Sequence, residues 1–198
     1  MVQGDDMRSG GTPSTKLTYD DFLLFPDDGK RHEIIGGEHY VTPSPNTKHQ
    51  DVSVNLTALL WNFLKAHPIG RVYAAPLDVV LSHYDVVEPD LLYVSRERSA
   101  VVTAKHLRGA PDLAVEILSP GTRKVDEIKK RDVYDHFGAA EYWVVDSGLD
   151  AIKIYRRLEG AFARVAELAA ERGDLLTTPL LPGFSVKLTD VFESLVSA

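Results

Sequence analysis

The stretch PDLAVEILSPGTRKVDEIKKRDVYDHFGAAEYWVVD, residues 111–146, decides the fold. Its two ends, residues 111–118 and 141–146, are short and mostly apolar, which is typical of buried strands. Between them, residues 123–137 form a charged segment that stops at Gly138, and this pattern predicts a helix. The sequence therefore predicts a strand, a helix and a second strand in succession, as in an α/β domain.

The flanking sequence extends this domain in both directions. Further elements are predicted as a short helix at residues 18–26, a hairpin at 31–42, a long helix from 46 or 47 to about 67, β-rich runs at 71–81 and 85–94, and the two strands AIKIYRR and FARVAELA. We therefore predict one mixed α/β domain over residues 16–198, with a central mixed sheet flanked by helices. Residues 1–15 offer almost nothing to bury and are predicted to be a disordered N-terminal tail.

Composition narrows the class of protein. The 198-residue chain is 44% hydrophobic and 26% charged, the balance of a soluble globular protein. It has no cysteine, which excludes disulfides and thiolate metal sites. No apolar run reaches the about 18 residues of a membrane helix, and no apolar signal segment starts the chain, so we expect no membrane contact and a cytoplasmic location. A net charge of −7 leaves nucleic-acid binding to a local basic patch.

Two carboxylates interrupt apolar runs that are predicted to be strands. Asp90 lies in VVEPDLLYV and Glu116 lies in LAVEIL. An ionised carboxylate that is buried without a partner costs several kcal/mol or has its pKa forced upward. Each residue alone fits a structural ion pair or a strand end that reaches water. Two of them in neighbouring strands favour a Mg²⁺ site, because Mg²⁺ is usually held by one or two carboxylates plus water and phosphate.

The predicted helix that follows Glu116 carries the densest basic patch, with five positive charges in nine residues. Arg123 and Lys124 in this patch are candidate phosphate contacts. Helical spacing places Asp126, Lys130 and Tyr134 on one face. One interpretation is an exposed Asp126–Lys130 pair of little energetic value. The other is that Lys130 lies over the Glu116 strand, where its amine orients a water or neutralises a phosphate oxygen.

Two residues nearer the N-terminus are further candidates. Glu33 in RHEIIGGE offers another carboxylate, and His49, early in the long helix, offers a contact to phosphate or water. Taken singly, each also fits an ordinary surface residue. The chain has no GxGxxG or GxxxxGK[ST] loop, no HExxH and no GxSxG, so the usual nucleotide, zinc-hydrolase and serine-hydrolase motifs are absent from the sequence.

The motif VEPDLLYV, followed by residues 111–146, resembles the Uma-two family of bacterial endonucleases. That family belongs to the PD-(D/E)XK restriction endonuclease-like superfamily, and the resemblance covers residues 17–192. Its most specific part is a strand with an acid, then Ser-Pro, Thr-Arg, a lysine on the next helix and Gly-x-x-Glu-Tyr-Trp. The resemblance implies a restriction endonuclease-like core.

The resemblance also implies roles for single residues. Asp90 corresponds to the metal-binding aspartate and Glu116 to the acid of the second strand. Leu118 occupies the place of the expected lysine, and Lys130 on the following helix matches a relocated lysine. Glu33 and His49 match an N-terminal acid and a helix histidine of the same branch, so Glu33 is a predicted catalytic residue and His49 a predicted phosphate contact.

The function that follows is a Mg²⁺- or Mn²⁺-dependent nuclease acting on DNA. Asp90 and Glu116 would bind the metal with help from Glu33 through water, while Lys130 positions the attacking water. A homodimer is expected, because two-fold symmetry suits cleavage of both strands. Two alternatives stay open: a non-catalytic nucleic-acid-binding or assembly module on the same fold, and a metal-dependent phosphodiesterase acting on RNA.

Overall fold

The computed structural model describes residues 15–195, so the predicted tail lies outside the described residues except for Thr15. The α-helices are α1 (Tyr19–Phe22), α2 (Thr47–Ala66), α3 (Arg131–His136) and α4 (Leu188–Val191). A π-helical segment, Val125–Lys130, runs directly into α3, and 3-10 turns cover Arg96–Val101 and Ala170–Arg172. Within the described part of the chain, no helix combines the length and apolar character needed to cross a bilayer.

Thirteen strands are described in chain order. They are β1 (Arg31–Ile35), β2 (Glu38–Thr42), β3 (Gly70–Ala74), β4 (Val79–Val80), β5 (Val86–Val87), β6 (Leu91–Ser95), β7 (Leu107–Arg108), β8 (Leu113–Ile117), β9 (Glu141–Asp146), β10 (Ala151–Leu158), β11 (Ala161–Ala169), β12 (Leu175–Thr177) and β13 (Ser185–Lys187). The predicted hairpin and long helix are present, and the predicted strand pair AIKIYRR and FARVAELA corresponds to β10 and β11. Thr18 caps α1 and Asn46 caps α2, each by accepting a backbone hydrogen bond.

A six-stranded mixed sheet forms the centre of the molecule, in the order β11-β10-β9-β8-β6-β3. Strands β8 and β9 are parallel and are joined by the π-helical segment and α3, whereas the other neighbours are antiparallel. A second sheet, in the order β2-β1-β5-β4-β7, carries the N-terminal hairpin. Strands β12 and β13 pair with each other. The predicted α/β class with a central mixed sheet is confirmed.

Helices cover both faces of the central sheet. On one face, α2 buries the apolar stripe predicted from its sequence, with Val52, Leu56, Leu60 and Leu64 in contact with the sheet. On the other face, Tyr134 of α3 packs against Tyr142 of β9 with 5.4 Å between the ring centroids. Both faces of β8 and β9 are therefore buried, which explains why these two strands read as nearly continuous apolar runs.

The β-rich runs predicted at residues 71–81 and 85–94 each contain two short strands. Each run divides between the two sheets: β3 and β6 belong to the central sheet, and β4 and β5 belong to the second. Pro76 and Pro89 lie in the two breaks, and proline lacks the N–H that a strand ladder requires. Asp90 consequently lies immediately before β6 and not inside a strand.

The close approach of β3 to β6 depends on a glycine. A Cβ atom at Gly70 would lie 2.4 Å from the Val94 carbonyl oxygen and 2.5 Å from the Tyr93 ring. We expect Gly70→Ala to destabilise the protein by about 1–3 kcal/mol, because crowding a packed site forces the backbone to shift. Thermal melting should show a loss of at least about 2–4 °C. Gly121→Ala is the control, since its Cβ would meet Pro43 at an ordinary 3.6 Å; equal melting temperatures for the two variants would contradict the packing argument.

Candidate active site

A buried lysine lies at the centre of the candidate site. The Nζ atom of Lys130 is 2.8 Å from Glu33 Oε1, 3.2 Å from Glu116 Oε1 and 3.5 Å from Asp126 Oδ1. Each of these four side chains is at most 4% exposed. Three carboxylates therefore surround one ammonium group in the interior, where charges are screened little by water.

Alternation along β8 brings Glu116 to this cluster. Its side chain points to the same face of the strand as Ala114 and Leu118, which belong to the core beneath α3. The π-helical segment covers that face and directs Lys130 onto it. The structure thus places Lys130 against Glu116, as the helix argument predicted, and the interpretation of Asp126 and Lys130 as an exposed pair is wrong because both are buried.

Strand pairing places Asp90 beside Glu116. Leu91 of β6 is opposite Val115 of β8, so the preceding Asp90 reaches the end of β8. There the Ile117 backbone N–H donates a 2.7 Å hydrogen bond to Asp90 Oδ2. The two acids that interrupt the apolar sequence therefore lie side by side at one end of the central sheet.

Asp90 also contacts one arginine and one histidine side chain. The Arg31 guanidinium is 2.8 Å from Asp90 Oδ1, and His49 Nε2 is 3.3 Å from Oδ2. Burial alone would raise the pKa of Asp90, but the hydrogen bond from His49 and the charge of Arg31 lower it to about 2. Asp90 is therefore a carboxylate at any pH at which the protein would be assayed.

The lysine-centred carboxylates behave in the opposite way. Burial raises the pKa of Glu116 well above its usual value, and the neighbouring Asp126 charge adds to that effect while Lys130 opposes it. The pKa of Asp126 is raised by burial too. Burial alone would lower the pKa of Lys130, yet the carboxylates, Glu116 foremost, raise it well above its usual value. Lys130 is therefore a permanent cation.

A cavity of about 10 Å³, roughly the room for one water molecule, separates the Asp90 and Lys130 groups. Glu116 Oε1 faces Lys130 but has no hydrogen-bond partner among residues 15–195, and His49 Nδ1 has none either. No set of three or more His, Asp or Glu side chains in this part of the chain converges as a metal site would. Asp90 and Glu116 still offer unused carboxylate lone pairs, so they fit a hard cation that is held by two carboxylates plus water and phosphate.

Solvent reaches the site through an open cleft of about 390 Å³. Arg31, His49 and Asp90 line both this cleft and the small cavity, so they form the boundary between them. Arg31 is 21% exposed and also lies 3.6 Å from a Glu88 oxygen. Burial is the main cause that raises the pKa of Glu88 to about 7.

The structure brings five of the predicted site residues together: Glu33, His49, Asp90, Glu116 and Lys130. Arg123 and Lys124 lie apart from them. Arg123 pairs with Asp146 at 2.8 Å and is half-exposed, and Lys124 is exposed. Neither lines the small cavity or the cleft.

Sequence reasoning missed Arg31 and Glu88 as members of the site and noted Asp126 only as a helix-face residue. One sequence pattern could have identified Arg31 as a site residue. It lies two residues before Glu33 in β1, and alternation along a strand places both on one face. Glu88 had no comparable signal, because it lies in the break between β5 and β6.

Comparison with known proteins identifies the family and the fold of the chain. The sequence model of the Uma2 family, described as "Putative restriction endonuclease", matches residues 19–189. The chain belongs to the Uma2 family. A crystal structure from Anabaena variabilis ATCC 29413, of "a putative nuclease belonging to DUF820", is similar with a TM-score of 0.75 and 21% identity, over 89% of this chain and 97% of that one. The restriction endonuclease-like fold expected for a Uma2 protein is thereby confirmed. No curated protein matches the chain.

The buried charges of this Uma2 chain make its stability depend on pH once Lys130 is removed. Lys130→Met leaves Glu33, Glu116 and Asp126 facing one another, and losing one partner of a buried ion pair costs about 3–5 kcal/mol. Without the ammonium, the raised pKa values of Glu116 and Asp126 rise further. The folded variant then binds protons that the unfolded chain has lost, so its stability is retained near pH 5 and falls as pH rises through the folded pKa values. We expect a larger melting-temperature deficit at pH 8 than at pH 5.

Lys129→Met is the matched control for that measurement. Lys129 is 47% exposed and pairs with Glu38 at the surface. Its removal should change the melting temperature little at either pH. A Lys130→Met deficit of equal size at both pH values would show that the three carboxylates do not interact through the lysine.

Proposed function

We propose that the protein is a metal-dependent nuclease that hydrolyses phosphodiester bonds in DNA, with Mg²⁺ or Mn²⁺ as its cofactor. The observation that carries the proposal is the placement of Asp90 and Glu116 side by side, with the Lys130 ammonium 3.2 Å from Glu116. Family membership supports nuclease chemistry in general. The metal, the DNA substrate and the residue roles belong to the proposal.

Asp90 and Glu116 are the residues that would hold the metal, with Glu33 assisting through a water. Asp90 is ionised, and Glu116 has a buried oxygen that accepts no hydrogen bond within the described chain. A cation beside them would offset both the burial and the carboxylate repulsion that raise the pKa of Glu116. When bound, such an ion supplies Lewis-acid polarisation of the phosphate and a lowered pKa for a bound water.

Lys130 acts in this proposal as a fixed positive charge. Because its pKa is raised well above the usual value, it cannot accept a proton from water and so is not a general base. Its ammonium can donate hydrogen bonds to the attacking water or to a phosphate oxygen that gains charge in the transition state. Glu33 holds the ammonium in place, and the Glu88 N–H donates a 2.7 Å hydrogen bond to the same carboxylate oxygen of Glu33.

Arg31 and His49 face the cleft and are the proposed contacts to the scissile phosphate. A guanidinium that is partly exposed at the boundary of the site can exchange a carboxylate partner for a phosphate. Arg123 and Lys124 stay predicted phosphate contacts farther from the acids. The homodimer and the cytoplasmic location stay predictions as well.

One observation favours a second candidate, a non-catalytic nucleic-acid-binding or assembly module on the same fold. Glu33, Glu116 and Asp126 already contact Lys130, and Asp90 already contacts Arg31. Such a set can be stable without any metal. A binding module would keep its affinity for nucleic acid in EDTA and would show no turnover with any divalent ion, whereas the nuclease requires the ion for cleavage.

Glu116→Gln tests the metal site directly. We expect no cleavage of plasmid DNA by this variant, while its metal-free melting temperature stays equal to or above that of wild type, because a costly buried charge is removed. Mg²⁺ or Mn²⁺ at about 100 times its dissociation constant should stabilise wild type by about 2.7 kcal/mol, or several degrees. The same ions should leave Glu116→Gln unchanged.

Glu171→Gln is the control for the loss of one negative charge, since Glu171 is exposed in a 3-10 turn outside the site. It should cleave and respond to metal as wild type does. If Glu116→Gln strongly destabilises the metal-free protein and metal shifts neither protein, Glu116 is a structural ion-pair partner and the metal-site assignment is wrong.

The substrate class needs a separate comparison. We expect cleavage of double-stranded DNA with Mg²⁺ or Mn²⁺ to exceed that of single-stranded DNA or RNA of the same sequence, and to stop in EDTA. Gel analysis of end-labelled substrates measures this. If only RNA is cleaved, the substrate is RNA and the proposal of DNA is wrong. If none of the three nucleic acids is cleaved, the binding module is favoured.

A further inference from the structure

A second cavity, of about 480 Å³, lies at the edge of the central sheet beside β3. We call it the edge groove and define it by Trp61 and Lys65 of α2, Arg71 and Tyr73 of β3, and Arg96 and Ser99 of the neighbouring 3-10 turn. β3 ends the strand order on this side of the sheet within the described residues. The size falls in the range of cavities that bind small organic ligands.

The edge groove is basic in an acidic protein. Lys65, Arg71 and Arg96 line it, and none of its lining residues is Asp or Glu. These three cations form no ion pair with any residue between 15 and 195, whereas most other described arginines do. In a chain with a net charge of −7, three unpaired cations around one cavity form a local attraction for an anion.

An aromatic ring stands among these charges. Trp61 is 39% exposed, with the Arg71 guanidinium 5.0 Å and the Lys65 amine 5.9 Å from its ring centroid. The other tryptophan, Trp143, is completely buried. Exposed aromatic rings beside cations are the combination that binds single-stranded nucleic acid, in which bases stack on the ring and phosphates pair with the cations.

Helix α2 and strand β3 both connect the edge groove to the candidate active site. His49 lies in the first turn of α2 and Trp61 lies twelve residues later, which is about 18 Å along a helix. At the far end of β3, Ala74 is opposite Leu91, next to Asp90. A distance of about 18 Å corresponds to at most about five nucleotides, the number expected at the 3.4 Å spacing of stacked bases in duplex DNA.

We propose that the edge groove binds a single-stranded segment of nucleic acid a few nucleotides from the bond held at Asp90 and Glu116. A base stacks on Trp61, and the flanking phosphates contact Lys65, Arg71 and Arg96. This inference rests on the proposed function, because it takes the occupant to be an unpaired segment of the cleaved strand that flanks the duplex. A free nucleotide offers the same base and phosphate chemistry and is the other source that must be distinguished.

The test measures binding without cleavage, with fluorescein-labelled single-stranded DNA of four and twelve nucleotides in EDTA. We expect the double variant Trp61→Ala/Arg71→Gln to bind the 12-mer at least tenfold more weakly than wild type by fluorescence anisotropy. The slope of log Kd against log salt concentration should become shallower by about 0.7, because the variant lacks one of the cations that contact phosphate. Quenching of the exposed Trp61 by unlabelled 12-mer gives a second readout, because Trp143 is buried.

Lys187→Gln is the matched control, since Lys187 is an exposed cation on β13 that forms no ion pair within the described chain. It should bind the 12-mer like wild type. If the double variant keeps its melting temperature and also binds the 12-mer like wild type, the edge groove has no role in strand binding. A double variant that fails to fold is replaced by Arg71→Gln/Arg96→Gln, which leaves the ring in place.

Two further arms separate the sources of the ligand. If one strand spans both sites, wild type should bind the 12-mer at least tenfold more tightly than the 4-mer. This difference in affinity should disappear in the double variant. If wild type binds the 4-mer, the 12-mer and free dAMP with equal affinity, the groove binds a free nucleotide and the proposal of strand binding is wrong. Cleavage is a separate readout. If wild type cleaves DNA and the double variant still binds the 12-mer normally, the nuclease proposal stands and the edge-groove proposal is wrong. A double variant that loses binding supports the groove even if wild type cleaves nothing.

Discussion

The ammonium of Lys130 among three buried carboxylates is the interaction on which the rest of the site depends. Its partners come from separate parts of the fold: Glu33 from β1, Glu116 from β8, and Asp126 from the same π-helical segment. Without the lysine, those carboxylates would repel one another in a medium that screens poorly. Burial of the lysine without them would be equally costly. The lysine and the surrounding carboxylates therefore offset one another's cost of burial.

This set also joins the two larger sheets. Glu33 and Arg31 belong to the second sheet, whereas Glu116 belongs to the central sheet and Asp90 directly precedes one of its strands. Ion pairs across that boundary hold the hairpin against the end of the central sheet. The lysine's position on a helix leaves Leu118 free to pack in the core. The same charges therefore organise the candidate chemistry and the packing of the N-terminal region.

The fold was predictable where one physical signal dominated. Strands β8 and β9 are buried on both faces, so their sequences are apolar throughout, and α2 shows a clear helical period. The division of residues 71–81 and 85–94 between two sheets was not predictable, because the same β-branched residues suit either sheet. Glu116 stood out as a charge within apolar sequence, and Lys130 stood out by its helical spacing from Asp126 and Tyr134. Arg31 did not, because a cation in a hairpin ordinarily reaches water.

Two backbone N–H groups at the site donate hydrogen bonds to side-chain carboxylates. The N–H of Ile117 donates to Asp90 and that of Glu88 donates to Glu33, so each side chain takes the place that a strand neighbour would otherwise fill. Exchange of these two protons with solvent deuterium requires the local ion network to open. Their exchange rates thus report the integrity of the charge cluster in the resting protein, with no substrate present and no bond broken.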